Sequence, residues 1–152
     1  MSLKEQLTED MKTAMKAKEE GKQRLAVIRM VRSAIRQQEI DGNGKQALDD
    51  EGVIAIISKE VKMRKDSLEE FKKGDRQDLV AQTEAEIAVL MPYLPQQLSE
   101  EEIRTFVKEA VEKSGASSQK DMGKVMGLLM PKVKGRSDGK LVNSIVREML
   151  NA

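Results

Sequence analysis

The chain has no cysteine and no histidine among its 152 residues. Their absence excludes disulfide bonds, thiol nucleophiles, histidine general bases and every zinc site built from these two residue types. Carboxylates, lysine or serine could still support catalysis, but the side chain that enzymes use most often for proton transfer is missing. We therefore expect a protein that is not an enzyme and that has no catalytic, cofactor-binding or metal-binding residues.

Aromatic side chains are almost as scarce, since the chain has only Phe71, Tyr93 and Phe106. Modules that recognise unpaired bases usually stack them on aromatic rings, so such a module is disfavoured. Binding of a folded nucleic acid through its phosphates needs charge and geometry more than rings. The composition therefore leaves this second mode of nucleic-acid binding open.

Long apolar runs and an N-terminal targeting pattern are also missing. The longest apolar run is Val53–Ile57, whereas a membrane-spanning helix needs about 20 apolar residues. The first ten residues, MSLKEQLTED, lack the basic and then apolar order of a signal peptide. We expect a cytoplasmic protein with no membrane partner.

Helix-forming residues fill the segments between the glycines and prolines, and no segment alternates with the period of a strand. The chain is therefore predicted to be all-α. Apolar stripes predict seven helices, at about 3–19, 23–40, 49–73, 76–91, 99–115, 119–133 and 139–150, with a turn at 41–44. Two prolines in the run 92–95 favour an extended path. We place a domain boundary there, between an N-terminal four-helix bundle at 1–94 and a small three-helix domain at 95–152.

Several helix starts carry capping signals. Ser2 with Glu5 and Ser99 with Glu102 have the spacing of capping boxes, in which each partner's side chain accepts a hydrogen bond from the other's backbone. Asp75 precedes the fourth helix and is predicted to cap it. These signals support the predicted order of helices.

A basic stretch lies near the C-terminus. Residues 119–152 carry seven basic and three acidic side chains, although the whole chain has a net charge of only +1. Four of the basic residues are candidate nucleic-acid contacts, namely Lys132, Lys134, Arg136 and Lys140. They surround a helix start capped by Asp138, where backbone N–H groups also face outward. The alternative interpretation is a solvated loop between helices, whose lysines suit the C-terminal end of the sixth helix.

A second basic stripe lies on the second helix. Arg29, Arg32 and Arg36 share one face of this helix, because the second and third of them lie three and seven residues after the first. The planar fork of arginine suits phosphates and carboxylates. The alternative, which we favour from the sequence, is internal pairing with the chain's many acidic residues.

The sixth helix contains two small residues and a row of methionines. Gly123 and Gly127 each cost about 1 kcal/mol relative to alanine within a helix, so close packing of a neighbouring helix is expected. Close approach of an RNA backbone is the other explanation. Met122, Met126 and Met130 recur every four residues, which is typical of core residues or of an adaptable partner-binding surface.

Four stretches of the chain together resemble a known family. They are RKDSLEEFKKGDRQDL at 64–79, LMPYLPQQLSEEEI at 90–103, DMGKVM at 121–126 and KVKGRSDGKLVNSIV at 132–146. The chain resembles the YqeY family, whose members are similar to the tail domain of GatB, the B subunit of the tRNA-dependent amidotransferase. The resemblance covers nearly the whole chain.

The resemblance implies a fold and a class of function. The fold would be an N-terminal helical bundle followed by a three-helix tail-like domain. In the amidotransferase the tail domain helps to hold tRNA, while the chemistry lies in a separate domain that is not seen in this chain. A non-catalytic tRNA-binding accessory module, linked to aminoacyl-tRNA metabolism, is therefore expected.

Two alternative functions compete with this expectation. The acidic segment 74–118, with four basic and nine acidic residues, and the methionine row suggest an adaptor that docks on an aminoacyl-tRNA synthetase or an amidotransferase. A family-level label of carbon–nitrogen ligase, with glutamine as amido-N donor, would describe the amidotransferase, because no active site is seen in this chain.

Overall fold

The computed structural model describes residues 1–42 and 47–151. Within these residues the prediction of an all-α protein is confirmed, since they form seven α-helices and no strand. The predicted turn at 41–44 lies partly outside the described residues. The α-helices are α1 (Leu3–Lys16), α2 (Lys22–Asp41), α3 (Asp50–Lys73), α4 (Gln77–Leu90), α5 (Glu100–Ser114), α6 (Met122–Val133) and α7 (Gly139–Asn151). Short 3-10 helices span Lys18–Gly21, Met91–Tyr93 and Gln119–Asp121.

The chain divides into two compact units, Met1–Leu94 and Pro95–Ala152. Helices α1 to α4 build the first unit around a core of Leu7, Val27, Ile28, Val31, Ile35, Val53, Ile56, Ile57, Val61, Leu90 and Tyr93. Helices α5 to α7 build the second around Leu98, Ile103, Val107, Ala110, Val125, Leu129, Val133, Val142, Ile145, Val146 and Leu150. No helix in the described part of the chain is long and apolar enough to cross a bilayer.

Both predicted capping boxes are present. The Ser2 hydroxyl accepts from Glu5 N at 3.2 Å, and Glu5 Oε2 accepts from Ser2 N at 3.1 Å. Ser99 and Glu102 make the same exchange at 3.1 and 3.2 Å at the start of α5. Each box satisfies backbone N–H groups that have no partner within the helix.

The prediction that Asp75 caps α4 is wrong. Asp75 has a φ of 55°, a left-handed conformation that aspartate tolerates better than most residues. Its backbone ends α3 instead, because Asp75 N donates to Lys72 O at 3.2 Å and Arg76 N donates to Phe71 O at 2.9 Å. This is the hydrogen-bond pattern of a Schellman motif. Helix α4 begins after Arg76, which makes no side-chain capping hydrogen bond.

The turn between α1 and α2 is tighter than the sequence suggests. Helix α1 ends at Lys16 rather than near residue 19, because Lys18 has a φ of 53° and starts a short 3-10 helix. That helix ends at Gly21, which is buried. A Cβ at Gly21 would lie 2.1 Å from Ala14 O, so only glycine fits where the two helices meet.

Arg64 interrupts the apolar stripe of α3 and is nevertheless buried, with 8% of its surface exposed. Its guanidinium lies 2.7 Å from Glu60 Oε2 and 3.7 Å from Glu86 Oε1 of α4. One of its nitrogens also lies 3.1 Å from Met30 Sδ of α2. The charge of Arg64 is therefore balanced by two carboxylates inside the first unit.

Tyr93 follows α4 in the first unit and contacts α1. Its hydroxyl donates a hydrogen bond to the carboxylate of Asp10, which also lies 3.6 Å from Arg24 Nη2. Burial, followed by the hydrogen bond and the charge of Asp10, raises the pKa of Tyr93 to about 12. Tyr93 thus links the end of α4 to α1 and remains protonated at neutral pH.

Candidate nucleic-acid interface

The four predicted contact residues lie along the connection between α6 and α7, residues 132–140, which we call the basic loop. Lys132 lies in the last turn of α6, Lys134 ends that helix, Arg136 follows in the loop, and Lys140 lies in the first turn of α7. Gly135 has a φ of 76°, a left-handed conformation that explains why a glycine stands there. The loop brings the four residues into one short segment, although their surroundings differ.

The basic loop is held against the segment that precedes α5. Leu98 N donates to Arg136 O at 2.7 Å, and Gln97 Nε2 donates to Gly135 O at 3.0 Å. Arg136 Nε donates in turn to Gln96 O at 3.3 Å. Sequence reasoning missed Gln97, although it stands in the stretch 90–103 that carries the family resemblance. These hydrogen bonds fix the loop backbone, and the side chains of Lys134 and Lys140 are exposed.

Lys132 contacts two side chains of α5. Its Nζ lies 3.5 Å from Glu109 Oε2 of α5 and 5.6 Å from the centroid of the Phe106 ring. The side chains of this ion pair are 40% and 48% exposed, so it contributes at most about 1 kcal/mol. A ligand phosphate would have to compete with Glu109 for the ammonium, which weakens Lys132 as a candidate.

Lys134 and Lys140 are both exposed. The Lys134 ammonium has no ion-pair partner among the described residues. At the start of α7, Asp138 Oδ1 accepts from Lys140 N at 2.9 Å and Asp138 O accepts from Val142 N at 3.1 Å. Asp138 therefore caps α7 as predicted. The carboxylate of Asp138 accepts the hydrogen bond of the Lys140 N–H group, which was expected to face outward. Phosphate binding at this helix start would therefore depend on the basic side chains.

The prediction that Gly123 and Gly127 allow a helix to pack closely is wrong. Both are exposed, and a Cβ added at either one would meet no atom within 4 Å. Helix α6 turns its apolar face, including Val125 and Leu129, toward the core, so the two glycines lie on the opposite face. The methionine row is divided: Met122 and Met126 pack against the core, as expected of core residues, whereas Met130 is 39% exposed.

The arginine stripe of α2 lines a groove between α1 and α2 in the first unit. The groove has a volume of about 540 Å³. Among the described residues, no carboxylate lies within 4 Å of a charged nitrogen of Arg29, Arg32 or Arg36. The internal pairing favoured by the sequence is therefore wrong for all three arginines.

No group of three or more acidic side chains in residues 1–42 and 47–151 has an arrangement that could hold a metal ion. The family model described as "Yqey-like protein" matches residues 4–150. The chain belongs to the YqeY-like family. The resemblance of its four stretches is thereby confirmed.

The YqeY-like chain is also similar to curated fungal proteins named "Altered inheritance of mitochondria protein 41, mitochondrial". The protein of Pyrenophora tritici-repentis is 32% identical over 149 residues, which cover 96% of this chain and 80% of the relative. That of Saccharomyces cerevisiae (strain YJM789) is 34% identical over 148 residues, covering 91% and 78%. That of Lachancea thermotolerans is 43% identical over 90 residues, covering 59% and 46%. For the YqeY-like chain itself, a cytoplasmic location remains a prediction.

Proposed function

We propose that this YqeY-like protein is a non-catalytic tRNA-binding accessory module linked to aminoacyl-tRNA metabolism. The basic loop would contact phosphates of the folded tRNA. The observation that supports this proposal is a run of cationic side chains on a loop whose backbone is fixed. Lys134 and Lys140 are exposed there, and Arg136 is held by Gln96 O.

A fixed loop suits phosphate binding for a physical reason. Ordering a flexible loop on binding costs free energy, and the hydrogen bonds to Gln97 and Leu98 have already ordered this one. The scarcity of aromatic residues disfavours base stacking, so affinity would come mainly from charge. The charge excess of residues 119–152 would also steer an anionic partner toward the second unit.

A salt series with purified bulk tRNA and the full-length protein tests this proposal. The variant K134A/R136A should bind more weakly, and its plot of log affinity against log salt should be less steep by about 1 to 2. The matched control is K108A/K113A, which removes two exposed lysines of α5 that have no ion-pair partner among the described residues. This control should leave the slope nearly unchanged.

Two results would contradict the proposal in different ways. Failure of the wild-type protein to bind tRNA even at low salt would refute tRNA binding altogether. Equal slopes for the loop variant and its control would refute the role of the basic loop.

A second candidate function is an adaptor that docks on an aminoacyl-tRNA synthetase or an amidotransferase. The exposed apolar side chains of α6 favour it, since Leu128 is 44% exposed and Met130 is 39% exposed. Copurification with such an enzyme that survives nuclease treatment and high salt, and that is lost in L128K/M130K, would support this function. Copurification that disappears with nuclease would instead indicate a bridging RNA.

A further inference from the structure

The groove between α1 and α2 combines a closed apolar floor with a cationic rim. Leu7 and Ile35 form its floor and are 0% and 3% exposed, so the core below leaves no apolar opening. Arg29, Arg32 and Arg36 line the α2 side and are all exposed. The volume of about 540 Å³ is large enough for several non-hydrogen atoms of a ligand and lies within the usual range of binding pockets.

The cations of this groove outnumber its anions. At one end Lys4 Nζ lies 2.7 Å from Glu39 Oε2, and the hydrogen bonds from Lys4 and from Leu48 N lower the pKa of Glu39. Glu39 is therefore charged, and its charge is already matched by Lys4. The charges of the three arginines are left without a matching anion among the described residues.

Arg32 shows how poorly these arginines are satisfied. One of its terminal nitrogens lies 2.8 Å from Met11 Sδ across the groove. A thioether sulfur is a weak acceptor and carries no charge. The contact leaves the other donors of the guanidinium available to a ligand. Ser33, also exposed beside the groove, provides a neutral donor.

We propose that this groove, which we call the arginine groove, binds consecutive phosphates of an RNA strand through Arg29, Arg32 and Arg36. The inference rests on the RNA binding proposed above and adds a second contact surface, in the N-terminal unit. Arg29 and Arg36 are seven residues apart, or about 10 Å along the helix at 1.5 Å per residue. A row of this length can face more than one phosphate of the same strand.

The chemistry of the groove favours an RNA backbone over an acidic peptide. A bound peptide usually needs apolar pockets for its side chains or a strand edge for its backbone. The floor residues Leu7 and Ile35 are buried, and Met11 is only partly exposed, so such pockets are lacking here. A row of phosphates needs hydrogen-bond donors and charge, which the arginines supply.

The test uses the full-length protein, purified bulk tRNA and the same salt series. In the variant R29Q/R32Q/R36Q, the log–log slope should become less steep by about 2, because three phosphate contacts each contribute roughly 0.7 to 0.9. The matched control is K59Q/K62Q/K65Q, which removes three exposed lysines of α3 that lie outside the groove. It should change the slope by less than half as much.

Glutamine keeps the helix propensity of arginine, so the groove variant should fold, and far-UV circular dichroism checks this. R29K/R32K/R36K provides a second measurement. The lysine variant keeps the charge, so the slope of log affinity against log salt should be unchanged. Its affinity for tRNA should still fall several-fold, because the planar fork of arginine is lost. Wild-type affinity in this variant would overturn the specific role of the arginines.

The outcomes separate this inference from the proposed function. A slope that changes in R29Q/R32Q/R36Q but not in K134A/R136A supports the arginine groove and refutes the role of the basic loop. The reverse result overturns the arginine groove and leaves the basic loop standing. Equal slopes for the groove variant and its α3 control also overturn the groove, and no tRNA binding by the wild type overturns both.

Discussion

Replacement of Gly127 by alanine should stabilise the second unit. Gly127 is the sixth of the twelve residues of α6, it is exposed, and a Cβ there would meet no atom within 4 Å. Its φ is also outside the left-handed region. Alanine is better than glycine by about 0.8 to 1.0 kcal/mol inside a helix, chiefly because it restricts the unfolded chain.

Gly123 provides an internal comparison. It is the second residue of α6, where fewer backbone hydrogen bonds depend on helical geometry, so Gly123→Ala should gain only about half as much. The two sites are four residues apart and share no partner that the alanines would disturb. The double variant should therefore gain about 1.2 to 1.5 kcal/mol, close to the sum of the single effects.

Urea unfolding of the full-length protein, followed by far-UV circular dichroism, measures this gain as a higher midpoint at unchanged m-value. Hydrogen exchange at the amides of Val125 and Leu129 assigns the change to α6. The control is Gly115→Ala, which should destabilise by about 1 kcal/mol because Gly115 ends α5 with a φ of 68°. No gain from Gly127→Ala would refute the reasoning, because it would mean that this face of α6 is not open.

The same double variant also tests why the glycines are there. If an RNA backbone approaches this face closely, the added methyl groups should weaken tRNA binding while the protein becomes more stable. If the salt series is unchanged, the glycines have no part in tRNA binding.

Three further predictions concern the first unit. Arg64→Ala should lower the free energy of unfolding by about 3 kcal/mol in urea, since it leaves two largely buried carboxylates without their cation; a loss below 1 kcal/mol would contradict this. Tyr93→Phe should remove a loss of stability that the wild type shows as pH rises from about 10 to 12. The raised folded-state pKa of Tyr93 stabilises the protein below the unfolded value of about 10, and this contribution disappears as the pH passes through the folded value. Gly21→Ala should cost more than about 2 kcal/mol, because its Cβ would collide with Ala14 O, and an unchanged urea midpoint would exclude such a collision.

Most of the helices could be predicted from the sequence because their apolar residues recur with the helical period. The starts of α1 and α5 were also predictable, since a capping box is a local exchange between residues three apart. Asp75 shows the limit of this reasoning. An aspartate just before a helix has the pattern of a cap, but the same residue can end the preceding helix in a left-handed conformation, and only the backbone distinguishes the two.

The glycines of α6 show a second limit. Because glycine destabilises a helix relative to alanine, the two glycines suggest that a neighbouring group needs their small size. The sequence does not state which face of the helix is covered. The same limit applies to the arginines of α2. Their shared face follows from their spacing, whereas the absence of a nearby carboxylate depends on how α1 and α2 pack.

The residues of the candidate interface could be predicted from the sequence, whereas their contacts could not. The charge and spacing of the basic loop identify its lysines, but Lys132 and Glu109 are 23 residues apart in the chain. The support that Gln97 gives to Gly135 spans 38 residues. Such long-range pairs depend on tertiary packing, which local patterns do not encode.

The contacts within the stretch 132–146 show which residues of this family motif shape the basic loop. Gly135 supplies the left-handed turn, the Ser137 hydroxyl donates to Val133 O at 2.9 Å, and Asp138 caps α7. These residues shape the loop and would be needed whether or not a ligand binds. The Lys134 ammonium has no ion-pair partner among the described residues, so its charge is the part of the motif that a binding function has to explain. A variant that removes the charge of Lys134, while keeping the glycine, serine and aspartate, therefore separates binding from architecture.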